Sequence, residues 1–130
     1  MNGLRGWIIF AWIALPTVMY GGYSLLRLIS RGNVLTPAQV GFFRAGHAYA
    51  GVLTLMSLLY YSFLDQTSLP LPIKHTACAA IVVGILAQSG GFFIHLFSER
   101  AALGTKVTLT GAVILVCAIL VLINGLISTA

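Results

Sequence analysis

Four long apolar stretches, separated by short polar connections, run along the chain. They cover roughly residues 7–28, 37–64, 75–100 and 107–127. Each has about the ~20 residues with which an α-helix crosses a bilayer. The connections are too short for a soluble domain, and short connections place consecutive helices antiparallel. The pattern predicts an all-α polytopic membrane protein, an antiparallel four-transmembrane-helix bundle that forms a single domain over residues 1–130.

Residues that favour helix starts and stops refine these boundaries. Thr36 before Pro37 is a typical N-cap and first helical position, so the second helix is expected to begin at Pro37. The connection 65–74 contains two prolines, which block a continuous helix. The third helix is expected to continue to residue 100, with Gly104 as its C-terminal stop.

The first span combines a proline, two glycines and a polar face. Pro16 is expected to bend the helix, and Gly21-Gly22 to let a neighbouring helix approach. The polar side chains recur at intervals of three and four residues: Thr17, Tyr20, Ser24 and Arg27. We expect this face to point into the bundle or toward the cytoplasmic interface.

Composition and charge support a membrane location. The chain is 59% hydrophobic and 7% charged, far from the roughly one-quarter charged residues of soluble domains. Its net charge of +5 does not indicate nucleic-acid binding, because the basic residues lie scattered at helix ends. Five flank the first and third connections, and two lie on the opposite side: Arg27, Arg31, Arg44, Arg100 and Lys106 against Arg5 and Lys74. The positive-inside rule therefore predicts a multi-pass protein of the inner (plasma) membrane with both termini outside.

Two histidines within the spans, His47 and His95, are the main candidates for chemistry, because an ionisable side chain in hydrocarbon is costly. Each belongs to a face of polar and small residues at helical spacing: Arg44, His47, Gly51, Thr54, Leu58 and Tyr61 on span two, and Gly84, Gln88, Gly91, His95 and Glu99 on span three. Both histidines are expected roughly 15 Å and 12 Å from the same cytoplasmic end. We expect the two imidazoles to face each other.

A facing pair of imidazoles suits axial ligation of a b-type haem, for electron transfer or redox sensing. In this hypothesis Gly51 and Gly91 leave room for the porphyrin, Gln88 lines the site, and Arg44 pairs with a propionate. Copper is the alternative metal, since two imidazoles fit both.

Other interpretations of the same residues stay open. A membrane histidine also hydrogen-bonds a neighbouring helix, with glycines serving close packing. The small size and short loops equally fit a non-catalytic structural or assembly subunit of a larger membrane complex, or a homodimer. A third hypothesis is small-solute or proton transport along a polar path: Arg44, Gln88, Thr54 and Tyr61. His47 is also able to hydrogen-bond a quinone carbonyl.

The remaining candidates are assigned structural roles. His75 is expected at the outer interface, and Trp7, Tyr60 and Tyr61 in an aromatic belt. Trp12 is expected to pack against a neighbour or lipid. The two cysteines, Cys78 and Cys117, are expected to be small packing residues rather than a disulfide.

Two segments carry a family resemblance, Phe42–Val52 with the sequence FFRAGHAYAGV and Gln88–His95 with QSGGFFIH. They resemble segments of small bacterial four-helix integral membrane proteins, in which a second histidine often stands at the position of Tyr49. The resemblance covers most of the chain and implies the fold but no activity. A weaker likeness links these segments to the His-x-His membrane helices that bind haem or copper. Tyr49 departs from that pattern and limits the implied centre to two histidines.

Overall fold

The computed structural model describes residues 3–32, 34–97 and 101–129. They form four helices and no strand: α1 Arg5–Ser30, α2 Pro37–Asp65, α3 Leu71–Phe97 and α4 Ala101–Thr129. All four are long and apolar enough to cross a membrane, which confirms the predicted all-α bundle. We call the end of the bundle with Arg5, Asp65, Leu71 and Thr129 the Trp7 end, and the opposite end the His95 end.

The helix boundaries follow local signals, with two departures from prediction. Thr36 and Gln39 form a reciprocal cap, in which Gln39 Oε1 accepts from the Thr36 N–H at 2.9 Å, so α2 begins at Pro37 as predicted. Helix α3 begins at Leu71 rather than residue 75, because Pro72 is tolerated in a first helical turn. Helix α4 begins at Ala101 rather than residue 107.

The predicted stop at Gly104 is wrong. Gly104 lies inside the first turns of α4, and it is buried against α3. The predicted extension of span three through Ser98, Glu99 and Arg100 lies outside the described residues. The first connection instead contains the one positive-φ glycine of the described backbone, Gly32 with φ 65°, a conformation that favours glycine.

Helices α3 and α4 approach each other most closely, through glycines spaced by seven residues. A Cβ on Gly91 would lie 2.6 Å from the Gly104 carbonyl oxygen, and one on Gly104 would lie 2.8 Å from the Gly91 carbonyl oxygen. A Cβ on Gly111 would collide with the backbone of Gln88. Small residues of this kind let membrane helices pack backbone to backbone.

The core at the Trp7 end is built around two tyrosines. Tyr60 and Tyr61 are 6% and 1% exposed, so their predicted place in an aromatic belt is wrong. The Tyr60 hydroxyl donates to the Ala118 carbonyl oxygen of α4 at 2.7 Å, which satisfies its polar group inside the bundle. Cys78 is buried beside them and Cys117 is exposed; neither forms a disulfide, as predicted.

Lys74 ties together the connection between α2 and α3. It is 8% exposed, and its Nζ donates to the carbonyl oxygens of Asp65 at 2.9 Å and Thr67 at 2.7 Å. These carbonyls lie at and just beyond the C-terminal end of α2, where a cation is favourable.

Candidate functional site

His47 lies at the interface of α2 with α1, where its ring sits on two glycines. A Cβ on Gly22 would lie 2.9 Å from His47 Nε2, and a Cβ on Gly21 would lie 3.4 Å from Nδ1. Gly51, one turn further along α2, faces Val18 of α1. The expectation that Gly21-Gly22 admits a close neighbour is confirmed, and the His47 face of α2 points to α1.

His95 lies near the end of α3, at the His95 end of the bundle, and its ring contacts α4 and the first turns of α2. Its ring stacks on Phe42 with centroids 4.9 Å apart and an interplanar angle of 9°. Its Nε2 lies 3.3 Å from Thr105 Oγ1, within hydrogen-bond distance. The His95 ring also packs on Gly104 and fills the space that a side chain at position 104 would need.

The two histidines therefore do not face each other, contrary to the sequence-based expectation. Aromatic contacts occupy the interface between α2 and α3 instead. Tyr49 stacks on Phe92 at 5.3 Å, and Phe43 meets Phe93 edge-on at 5.4 Å. A Cβ on Gly46 would lie 3.0 Å from the Phe93 ring, so this interface is filled.

The other residues of the predicted haem site, like the two histidines, lie in different places rather than around one cavity. Gly51 faces α1, and Arg44 is exposed. Gly91 packs against Gly104, and the Gln88 carbonyl oxygen accepts from Thr108 Oγ1 of α4 at 3.3 Å. The arrangement does not fit a haem or a copper ion held between His47 and His95 in one bundle. Residues 3–32, 34–97 and 101–129 also contain no cluster of three or more His, Cys, Asp or Glu side chains able to hold a metal.

A cavity of about 350 Å³ lies between α1 and the pair α2 and α3. We call it the α1 cleft. Its walls are almost entirely apolar, and residues of all three helices contribute to them, among them Ala14, Val18, Ala50, Thr54, Ile85 and Ser89. It is partly open, and it lies midway along the helices, at the depth where hydrocarbon surrounds a membrane protein.

Three hydroxyl groups that line the cleft, those of Thr54, Ser57 and Ser89, donate to carbonyl oxygens of their own helices. Thr54 Oγ1 donates to the Ala50 carbonyl at 2.6 Å, and Ser89 Oγ to the Ile85 carbonyl at 2.6 Å. Each hydroxyl group therefore uses its donor for a backbone carbonyl oxygen, as is common for Ser and Thr in membrane helices. Of the predicted polar path, Thr54 and Tyr61 line this cleft, whereas the backbone of Gln88 packs against α4.

Helix α1 packs against α2 through a face that sequence reasoning missed. Leu4, Ala11 and Leu25 are buried and Val18 contacts Gly51, so residues spaced by seven mark the inward side. The predicted polar face points into the bundle only in part: Thr17 lines the α1 cleft, whereas Tyr20 is 64% exposed and packs beside Tyr23, which is 57% exposed. The heptad spacing of these residues was the available signal.

The Trp7 end carries the contact between α1 and α3. Trp7 Nε1 donates to Nδ1 of His75 at 2.9 Å, and the indole lies beside Tyr61 with centroids 6.2 Å apart. His75 is exposed, and its place at the outer membrane interface stays a prediction. Trp12 is 60% exposed.

Comparison of the chain with protein-family models, with curated proteins and with solved structures found no match.

Proposed function

We propose that the protein is a membrane-embedded binding protein that holds a single hydrocarbon chain in the α1 cleft. The observation that carries this proposal is the cavity of about 350 Å³ with apolar walls from three helices. Ligand sites usually have volumes of about 300–1,000 Å³ and predominantly apolar walls. No charged side chain contributes to the lining, which favours an uncharged, flexible, apolar occupant.

The size of the cleft favours a chain over a further helix. Its volume of about 350 Å³ lies near the lower end of the range of small-ligand sites, which suits a slender, flexible chain better than a helix about 10 Å in diameter. Acyl chains of lipids and isoprenoid tails of quinones share the required chemistry. Both are abundant at the depth of the cleft.

The hypotheses of a haem protein, an assembly subunit and a transporter stay predictions, and the arrangement of the histidines and of Gln88 favours none of them over chain binding. The assembly hypothesis is compatible with the proposal, since a subunit of a larger complex is also able to bind a lipid chain.

Photolabelling tests the proposal. The protein is reconstituted in vesicles that contain either a phosphatidylglycerol with a diazirine in its acyl chain or an isoprenoid quinone with a diazirine in its tail. After illumination, the labelled peptides are mapped by mass spectrometry. We expect labels on the α2 and α3 walls, residues 50–57 and 82–89, and the more efficient probe distinguishes a lipid from a quinone.

A matched pair of variants makes the test specific. Ala50→Phe places a ring in the cleft and is expected to reduce labelling of its walls to background. Ala48→Phe adds the same ring at an exposed position two residues away and is expected to leave labelling unchanged. Ala14→Phe fills the cleft from α1 and guards against a folding defect in one variant. Labels spread evenly over the outer surface and unaffected by Ala50→Phe would overturn the proposal.

A further inference from the structure

A single side-chain hydrogen bond joins α1 to α3 at the Trp7 end, next to the α1 cleft. Trp7 Nε1 donates to Nδ1 of His75 on α3 at 2.9 Å. Within the described ranges 3–32, 34–97 and 101–129, this is the one side-chain hydrogen bond that joins α1 to another helix. The same indole lies beside Tyr61, which lines the cleft. The bond therefore fastens α1 to α3 where the cleft ends.

This hydrogen bond requires a neutral imidazole. The indole N–H is a donor only, so His75 Nδ1 must offer a lone pair. In the imidazolium form both ring nitrogens carry hydrogen, and two N–H groups would then point at each other. Protonation of His75 consequently replaces an attractive contact with a repulsive one.

His75 is accessible to protons from water, and its one side-chain hydrogen bond within the described part of the chain is the one to Trp7. The ring is exposed. Among the described residues, the ionisable groups at this end are Arg5 on α1, Tyr60, Tyr61 and Asp65 on α2, and Lys74 and Cys78 on α3, and residues 125–129 of α4 contain none. The Lys74 ammonium is directed at the carbonyls of Asp65 and Thr67.

We propose that His75 is a pH-sensitive latch on the α1 cleft. Protonation of its imidazole breaks the bond to Trp7, the Trp7 end of α1 separates from α3, and the bound chain exchanges faster with the bilayer. The statement about chain exchange rests on the proposed function, whereas the separation of the helices does not.

The first measurement is independent of any ligand. Spin labels are attached through Arg5→Cys and Ile73→Cys, two exposed positions on α1 and α3, in a background with Cys78→Ala and Cys117→Ala. Pulsed electron paramagnetic resonance then gives the distance distribution at about pH 8 and about pH 5, which bracket the ordinary histidine range. We expect the ratio of separated to closed forms to rise about fivefold at the lower pH, the shift that corresponds to one neutral hydrogen bond.

Two variants identify the group that responds. His75→Gln keeps a carbonyl acceptor for the indole N–H but does not titrate, so it is expected to stay closed at both pH values. Trp7→Phe removes the donor, and we expect the separated form at both. His47 and His95 remain in every variant. A pH response in His75→Gln equal to that of the parent, or no response in the parent, would overturn the latch.

Photolabelling with the diazirine phosphatidylglycerol at the two pH values connects the latch to the cleft. We expect labelling of the cleft walls to develop faster at about pH 5 in the parent and at one rate in His75→Gln. Distances that respond to pH without any cleft labelling would refute the proposed function and leave the latch standing. Cleft labelling with distances independent of pH would refute the latch alone.

Discussion

Glycines play different roles in two helix interfaces of this bundle. Between α3 and α4, glycines on both helices bring backbone against backbone, and a Cβ at Gly91 would lie 2.6 Å from the Gly104 carbonyl oxygen. Between α1 and α2, each glycine receives a side chain of the other helix: Gly21 and Gly22 face the ring of His47, and Gly51 faces Val18. The first interface excludes any ligand, and the second lies next to a cavity.

The difference shows how a small chain combines a rigid part with an adaptable one. Backbone contacts tolerate almost no displacement, because no side chain is present to change its rotamer. A ring resting on two glycines is able to move by a few tenths of an ångström at little cost. We infer that α3 and α4 form the framework of the bundle and that α1 is the helix that moves.

The largest expected effect comes from filling the tight interface. Gly91→Ala should reduce the free energy of unfolding by about 3 kcal/mol, the upper part of the usual range for overpacking, because its Cβ meets backbone that cannot turn away. Reversible unfolding in mixed micelles, followed by circular dichroism, measures this loss. Gly90→Ala is the matched control, since a Cβ there meets nothing within 4 Å. Equal stability of Gly91→Ala and Gly90→Ala would show that the α3–α4 interface tolerates an added methyl group, contrary to this prediction.

A smaller effect is expected at the second interface. Gly22→Ala should change the free energy of unfolding by about 1 kcal/mol or less, since the atom its Cβ meets belongs to a side chain that can shift. The same unfolding assay applies, and Gly6→Ala serves as control because its surroundings are open. Adding His47→Ala to Gly22→Ala should restore part of the loss. Strictly additive effects of the two changes would argue against a packing contact between His47 and Gly22.

The smallest effect is expected on addition of haem. His47 and His95 lie in different interfaces, so haem b added to the purified protein should not give the low-spin absorption spectrum of an iron with two imidazole ligands. Optical spectra of the oxidised and reduced forms measure this directly. A low-spin spectrum that disappears in both His47→Ala and His95→Ala would restore the haem hypothesis and require a rearranged bundle.

The sequence predicts the four helices well because hydropathy and capping act locally. The start of α2 at Pro37 depends on Thr36 and Gln39, three residues apart, and each transmembrane segment is marked by its own length. The start of α4 is predicted less well; its first turns include Gly104, which packs against α3. Such contacts are not visible in a local pattern.

The candidate site is predicted only in part, for a related reason. Periodicity correctly groups His47 with Gly51 and His95 with Gly91, but it does not say which neighbour each face meets. Helix α2 lies between α1 and α3, and α3 lies between α2 and α4. The face of α2 with His47 packs against α1, and the face of α3 with His95 packs against α4. The cleft depends on packing among three helices, and no single segment encodes it.

The chain has two lysines, and the burial of one gives them different chemical characters. Lys74 engages two carbonyl oxygens and is 8% exposed, so its amine has little access to an electrophile. Lys106, near the opposite end of the bundle, is exposed. Of the two lysine side chains, an acylating reagent therefore modifies Lys106 first as long as the connection between α2 and α3 stays folded, and the reactivity of Lys74 reports when that connection opens.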